Sequence, residues 1–442
     1  MSKKYNLLVH KDYEIFYNIL IFIPFISFIF GFYHGEFSAG TGEGGGDSQW
    51  IRENIKIFIE NDLLTAIFHP DLFGNRTPLI YVLNKLINPF FYDFEKYRLS
   101  VFILSIFGPV FLYQLLKLKF YNVDRKILLL ISSIVYLSPY YRTSAYWGLN
   151  ENYGIITMVL SFLFLIKFLK FKKKRNINVF GIILFSTLTI YFDQKFLIVP
   201  LICYINMILF KSNLNFKITI SLIYGVLALP YLYLFYKWGG IVPPITQLSN
   251  PKTITSVSDL NMIYFIHIGY ASTMIAFYLL PIMLFTGKLV FIIHNLKKLI
   301  SKKSNYIFFL LILFFFIYLI DFNFEKYTTQ DHWVGLGIIH KLTQLLFKQT
   351  ILQEITTYGF FLLSFVVLLY FINLSKLDGL YISYFLLISL FLWPLMQEYF
   401  DPIILIISLI LFNSVKHFTK FNSVFLFFYT ATFLIIANIY YA

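Results

Sequence analysis

The sequence predicts an all-α protein, a polytopic transmembrane helical bundle of about 13 spans, with amphipathic helices lying in the membrane interface within its external loops. Three observations predict it. Of the 442 residues, 59% are hydrophobic and only 13% are charged, against about 25% charged in a soluble domain. Apolar runs approaching the roughly 20 residues that a bilayer core requires of a helix recur along the whole chain. The polar stretches between them alternate between strongly basic and mildly acidic. No linker, repeat or shift of composition divides the chain, which reads as a single domain over 1–442.

The first span is 15–33. The segment before it mixes Lys3, Lys4 and Lys11 with Asp12 and Glu14, and no small-residue cleavage site follows, so the span is expected to be retained. Further spans are expected at 97–117, 126–141, 152–170, 178–192, 196–210, 218–237, 263–285, 306–322, 355–373, 379–395, 402–413 and 422–441. With the N-terminus in the cytoplasm, alternation gives the inner loops 23 of the 36 Lys and Arg residues, with four acids (Asp12, Glu14, Asp124 and Asp378). The outer loops then hold 13 basic residues and 18 acids. Basic residues resist translocation, so this asymmetry orients the chain. It also explains the net charge of +14 without a nucleic-acid partner. The sole cysteine, Cys203, lies in an apolar run, so no internal disulfide or cysteine metal site can form.

Loop length is spent on the outside. In the first external loop, 34–96, a glycine-rich stretch leads to Asp47 and an expected helix over 48–68. Ile51, Ile55, Phe58, Ile59 and Leu63 fall on one face of it, which suits a helix lying in the interface. Asp47 then has two roles open to it: an N-cap, or a general base held at the lipid–water boundary. Beyond it, Asp71 and Arg76 either pair with each other or face a substrate, and Thr77-Pro78 is expected to open another short helix.

The shorter external turns carry the remaining candidates. Arg142 and Glu151 flank an aromatic turn that fits either an interfacial belt or a substrate surface. Asp193-Gln194-Lys195 has almost no loop around it; charges this close to the apolar core are paired or functional. Asp331-His332 precedes an amphipathic segment, 334–349, with Val334, Ile338, Leu342 and Leu345 on one face, and Glu398 and Asp401 sit in a turn between apolar runs. The chain contains no HExxH, P-loop or CxxC pattern. This excludes nucleotide chemistry at a P-loop and zinc chemistry of the HExxH kind. No metal-ligand spacing is present, although paired external acids leave room for a divalent ion.

The early external Asp in Gly45-Gly46-Asp47-Ser48-Gln49-Trp50, the interfacial helix after it and the outward polar turns resemble the class-C membrane glycosyltransferases. Thr77-Pro78-Leu79-Ile80-Tyr81, Asp331-His332 and Pro394-Leu395-Met396-Gln397-Glu398-Tyr399-Phe400 are similar to signatures of the dolichyl-phosphate-glucose α-1,2-glucosyltransferases. Where many relatives carry an acidic pair, this chain has Asp47-Ser48. The resemblance implies an inverting hexosyl or pentosyl transfer from a polyprenyl-phosphate-linked sugar, the donor, to a glycan or lipid acceptor, among membrane lipids and without nucleic acid. Asp47 is then the catalytic base, and Asp71, Arg76, Arg142, Glu151, Lys195, His332 and Glu398 are substrate-binding. Arg76, Arg142 or Lys195 would meet the charge that develops on the departing phosphate. The expected location is a bacterial inner (plasma) membrane, with the active side extracytoplasmic. A transporter or flippase of a lipid-linked glycan is the main alternative, and it predicts ionisable groups at mid-membrane and repeat symmetry. A polysaccharide polymerase is another, and it predicts a basic external face.

Overall fold

A computed structural model describes residues 20–36, 45–74, 76–171, 175–210, 213–249, 264–286, 289–301, 336–347, 351–392, 395–415 and 423–441. Among them every regular element is helical. The chain forms two compact units, 1–250 with 430–442, and 251–429.

The first unit contains α1 (Leu20–Tyr33), α2 (Gly45–Glu60), α3 (Leu63–Ile67), α4 (Leu79–Ile87), α5 (Phe94–Lys119), α6 (Arg125–Ser133), α7 (Pro139–Trp147), α8 (Glu151–Lys170), α9 (Arg175–Phe192), α10 (Ile198–Phe210), α11 (Leu214–Trp238) and α12 (Pro244–Ser249). The second contains α13 (His267–Thr286), α14 (Leu289–Ser301), α15 (Gly337–Phe347), α16 (Ile351–Leu374), α17 (Lys376–Ser389) and α18 (Ile403–Leu411). The last helix, α19 (Ser423–Tyr441), divides between the units at Thr430.

Six helices, α5, α8, α9, α11, α13 and α16, are long and apolar enough to cross a membrane. Their burial separates two kinds. In α8, 67% of the apolar window is buried, whereas in α11 only 6% is. Leu222, Val226, Leu229 and Leu232 of α11 are all more than half exposed. An apolar helix so little covered by protein suits a lipid surround.

Apart from 422–441, which forms α19, the other expected spans within the described residues are shorter or broken. The run 126–141 is α6, a 3-10 turn over Ile134–Leu137, and α7. Pro139 lacks an N–H and disfavours helix in the residue before it, so the chain restarts there, with Ser138 accepting from the Tyr141 N–H at 3.2 Å. Leu128 and 130–138 are buried, where protein groups rather than lipid surround the interrupted backbone. The run 402–413 gives only α18, nine buried residues that extend about 14 Å. The runs at 15–33, 196–210 and 379–395 give apolar helices too short to qualify alone. The run 306–322 lies outside the described residues.

The expected helix over 48–68 is two helices. It breaks at Asn61-Asp62, where Asp62 caps α3 by accepting from the Leu64 and Thr65 N–H groups at 3.0 and 3.1 Å. The end of α2 is closed from outside: the Lys85 ammonium donates to the carbonyls of Phe58 and Asn61 at 2.5 and 2.6 Å. A cation there satisfies orphan carbonyls and complements the helix dipole. The stripe that α2 buries is Ser48, Ile51, Asn54, Ile55 and Phe58, while Ile59 is 38% exposed. In the segment expected over 334–349, α15 buries His340 and Thr343 and leaves Leu342 and Leu345 exposed, so its apolar face points outward.

Candidate functional site

Three structural devices carry charged residues to one place in the first unit. The first is the α2 face: Asp47 lies in the first turn of α2 rather than at its N-cap, followed on the same side by Trp50, Ile51 and Asn54. The second is the loop 69–78. Asn54, almost fully buried, donates to the Phe73 carbonyl (2.6 Å) and the Tyr81 hydroxyl (3.0 Å) and accepts from the Phe73 N–H (3.1 Å). Gly74 N–H donates to the Thr246 hydroxyl at 2.9 Å, and the Thr77 hydroxyl donates to the Tyr191 carbonyl. The loop is thereby clamped at both ends, with Arg76 between the clamps.

The third device is a pair of turns. Gly148 closes α7 with φ of +74°, which costs a side-chain-bearing residue more than glycine. The Tyr97 hydroxyl donates to the Gly148 carbonyl at 2.9 Å, and Asn152 N–H donates to the Ser144 hydroxyl at 3.0 Å. This turn delivers Asn150 and Glu151 to the start of α8. At the end of α9, Asp193 caps the 3-10 turn Gln194–Leu197 by accepting from the Lys195 N–H at 3.0 Å. Gly154 lets α8 approach that turn, since a Cβ there would fall on the Phe196 ring.

The result is a bracket of charges. Arg76 is ion-paired to Glu151 and, through Nε at 3.3 Å, to Asp193; Lys195 Nζ also reaches Asp193 at 3.3 Å. Glu151 and Asp193 are buried, so their charges need these partners. Burial works to raise the Asp193 carboxyl, but Lys195 and Arg76 together hold it below the usual carboxylate value. Asp47 responds the other way. Burial raises its carboxyl above the ordinary 3.8, Glu151 pushes in the same direction, and Arg76 and Lys195 pull against both. Among the described residues, the three carboxyls Asp47, Glu151 and Asp193 outnumber the two cations Arg76 and Lys195 by one.

Asp47, Trp50, Ile51, Asn54, Phe73, Gly74, Arg76, Thr77, Tyr81 and Asn150 line a hollow of about 40 Å³ at this bracket. That is space for a hydroxyl group and a water or two. A carboxylate raised toward neutrality beside such a hollow can take a proton from a bound hydroxyl. Among the described residues no cluster of three or more His, Cys, Asp or Glu side chains could hold a metal ion.

Of the residues singled out from the sequence, Asp47, Arg76, Glu151 and Lys195 meet here. Arg142 does not join them in this network. It is fully buried, ion-paired to Glu36, and donates to the Ser27 carbonyl (3.0 Å) and the Tyr146 hydroxyl (3.1 Å). Asp71 is exposed, 3.8 Å from the His69 ring. Glu398 belongs to the second unit, half-buried in the 3-10 turn Gln397–Tyr399. His332 lies outside the described residues. Sequence reasoning missed Trp50 and Asn54, although Asp47, Trp50, Ile51 and Asn54 at i, i+3, i+4 and i+7 are one helix face. It also left Asp193 out of the substrate-binding set, and gave no role to Glu36. No protein-family model matches the chain, and neither a curated protein nor a solved structure does.

Proposed function

We propose that the protein is a membrane glycosyltransferase that moves a sugar from a polyprenyl-phosphate carrier to a glycan or lipid acceptor on the extracytoplasmic face, with Asp47 as general base. The observation that carries this reading is the raised carboxyl of Asp47 lining a hydroxyl-sized hollow beside the ion-paired Arg76, Glu151, Asp193 and Lys195. In the proposed step Asp47 accepts the acceptor's hydroxyl proton while that oxygen attacks the anomeric carbon. The bond from that carbon to the phosphate oxygen breaks, and the polyprenyl phosphate leaves with the electron pair. Arg76, Lys195 and Arg142 are each ion-paired to a carboxylate. The proposal therefore gives the first two the task of keeping Glu151 and Asp193 charged, and gives Arg142 the task of anchoring the outer end of α1.

The sidedness in this proposal is a bacterial inner membrane with a cytoplasmic N-terminus. Contacts between loops support it. Arg76 with Glu151 and Asp193, Gly74 with Thr246, and Arg142 with Glu36 all join loops that alternation puts outside. The Lys170 ammonium donates to the Leu118 carbonyl at 2.6 Å, and Asp378 accepts from the Asn413 and Ser414 N–H groups at 2.8 and 3.0 Å. Those contacts join loops that alternation puts inside.

The test is transfer of radiolabelled sugar from polyprenyl-phosphate donors in proteoliposomes. Asp47→Asn is expected to insert and elute like the parent while losing at least about 100-fold in rate. A variant that transfers at the parent's rate removes the assigned base.

A further inference from the structure

Trp50 stands one turn beyond Asp47 on the same face of α2, and its ring centroid lies 4.2 Å from that of Phe73 with the planes 44° apart. The partner ring is not held by packing alone. Asn54 takes both the N–H and the carbonyl of Phe73, so the backbone under that ring is strapped to α2 at two points. This is an aromatic surface on a held backbone beside a carboxylate, at the edge of a hollow too small for a whole ring.

Charge narrows what can rest there. Arg76, the only cation lining the hollow among the described residues, already bridges Glu151 and Asp193, and those described carboxylates with Asp47 outnumber Arg76 and Lys195 by one. A phosphate or carboxylate entering here would have to displace buried acids from Arg76. A neutral or cationic group would not.

We propose that Asp47, Trp50 and Phe73 form the acceptor-side subsite, and that the acceptor is an uncharged or amine-bearing sugar ring stacked on Trp50 with one hydroxyl directed into the hollow at Asp47. The chemistry matches at each contact. A pyranose presents C–H groups on one face and hydroxyls around its edge. An indole meets the face, and a carboxylate one helical turn away, roughly 5–6 Å, meets the edge. Asn54 is a positioning residue that acts through Phe73. This assignment deepens the transferase reading by naming the acceptor's chemical class, and it rests on that reading for the word acceptor alone.

The experiment needs no donor. The full chain in lipid nanodiscs is titrated with methyl β-D-glucopyranoside, methyl β-D-galactopyranoside, glucosamine and glucose 1-phosphate, with binding followed by saturation-transfer NMR. A neutral glycoside or the amine is expected to bind, with glucose 1-phosphate at least about tenfold weaker. Trp50→Ala is expected to weaken the binding about tenfold, which corresponds to about 1.4 kcal/mol, while Trp50→Phe stays within about threefold of the parent. Both variants are checked for parental elution and melting. Binding that survives Trp50→Ala unchanged, binding of glucose 1-phosphate as tight as that of the glycosides, or no binding of any glycoside or amine overturns the proposal. Glycoside binding with no sugar transfer from any polyprenyl-phosphate donor strikes the transferase reading and leaves this subsite standing.

Discussion

At the scale of single residues, two half-buried carboxyls have been driven in a direction that solution experiments can read. Glu36 folds back over Gly31, where even a Cβ would lie 2.5 Å from its carboxyl, and pairs with the buried Arg142. Burial pushes its pKa from 4.5 to about 7, against the opposing pull of Arg142. The folded protein therefore holds a proton on Glu36 that the unfolded chain has released between pH 4.5 and 7. Stability from this group is complete below 4.5 and is lost as pH rises through about 7. The melting temperature in detergent is expected to fall across that window, and Glu36→Gln is expected to flatten the fall. For Asp47 the readout is rate. A base is active only when deprotonated, so the acid limb of kcat/KM is expected above 3.8. Lys195→Met removes a cation that lowers this carboxyl and is expected to move the limb to higher pH, whereas a limb that stays in place would separate Lys195 from Asp47. Asp193 has the opposite setting. Removing it strips Arg76 and Lys195 of a shared buried partner, so Asp193→Ala is expected to cost roughly 3–5 kcal/mol in stability.

At the scale of elements, the site depends on close approaches that tolerate no side chain. Gly148 has φ of +74° and a Cβ there would sit 2.7 Å from the Tyr97 ring. Gly148→Ala is expected to destabilise the α7–α8 turn by roughly 1–3 kcal/mol. It should also slow transfer by displacing Glu151, as measured by melting and by initial rate. These elements were unequally legible in the sequence. Helices such as α5, α8 and α11 are single uninterrupted apolar runs, and length and hydropathy suffice to find them. The α2 stripe was misplaced because its buried face mixes Ser48 and Asn54 with Ile51, Ile55 and Phe58. A search for apolar periodicity therefore slid to Ile59 and Leu63. The convergence of Asp47, Arg76, Glu151 and Lys195 could be anticipated because charges in tight external turns have few places to go. The pairing of Glu36 with Arg142 could not, since 106 residues separate them and nothing local marks either as the other's partner. The runs that became α6–α7 and α18 were read as spans because composition reports apolarity. It does not report whether lipid or protein supplies the apolar surroundings.

At the scale of the whole molecule, charge and contact bear on the same question, which side each loop occupies. With the 13 expected runs all crossing, the basic excess falls in alternate loops, and the charged contacts that join loops distant in sequence fall between loops of like parity: Arg76 with Glu151 and Asp193, and Lys170 with the end of α5. The two arguments share one assignment of spans and differ in their observable: the first counts residues and the second measures distances. Together they predict a labelling pattern. In a Cys203→Ala background, Glu60→Cys and Tyr121→Cys place single thiols on two exposed sites, at the end of α2 and just after α5. A membrane-impermeant maleimide added to intact cells is expected to modify the thiol at position 60 and to spare that at 121 until the membrane is opened. The reverse pattern would put Asp47 on the cytoplasmic face, where the basic loops would then lie outside against the rule that positive residues resist translocation. Labelling of both sites in intact cells would mean that an odd number of crossings no longer separates them, and α5, the one expected span between positions 60 and 121, would have to be reassigned.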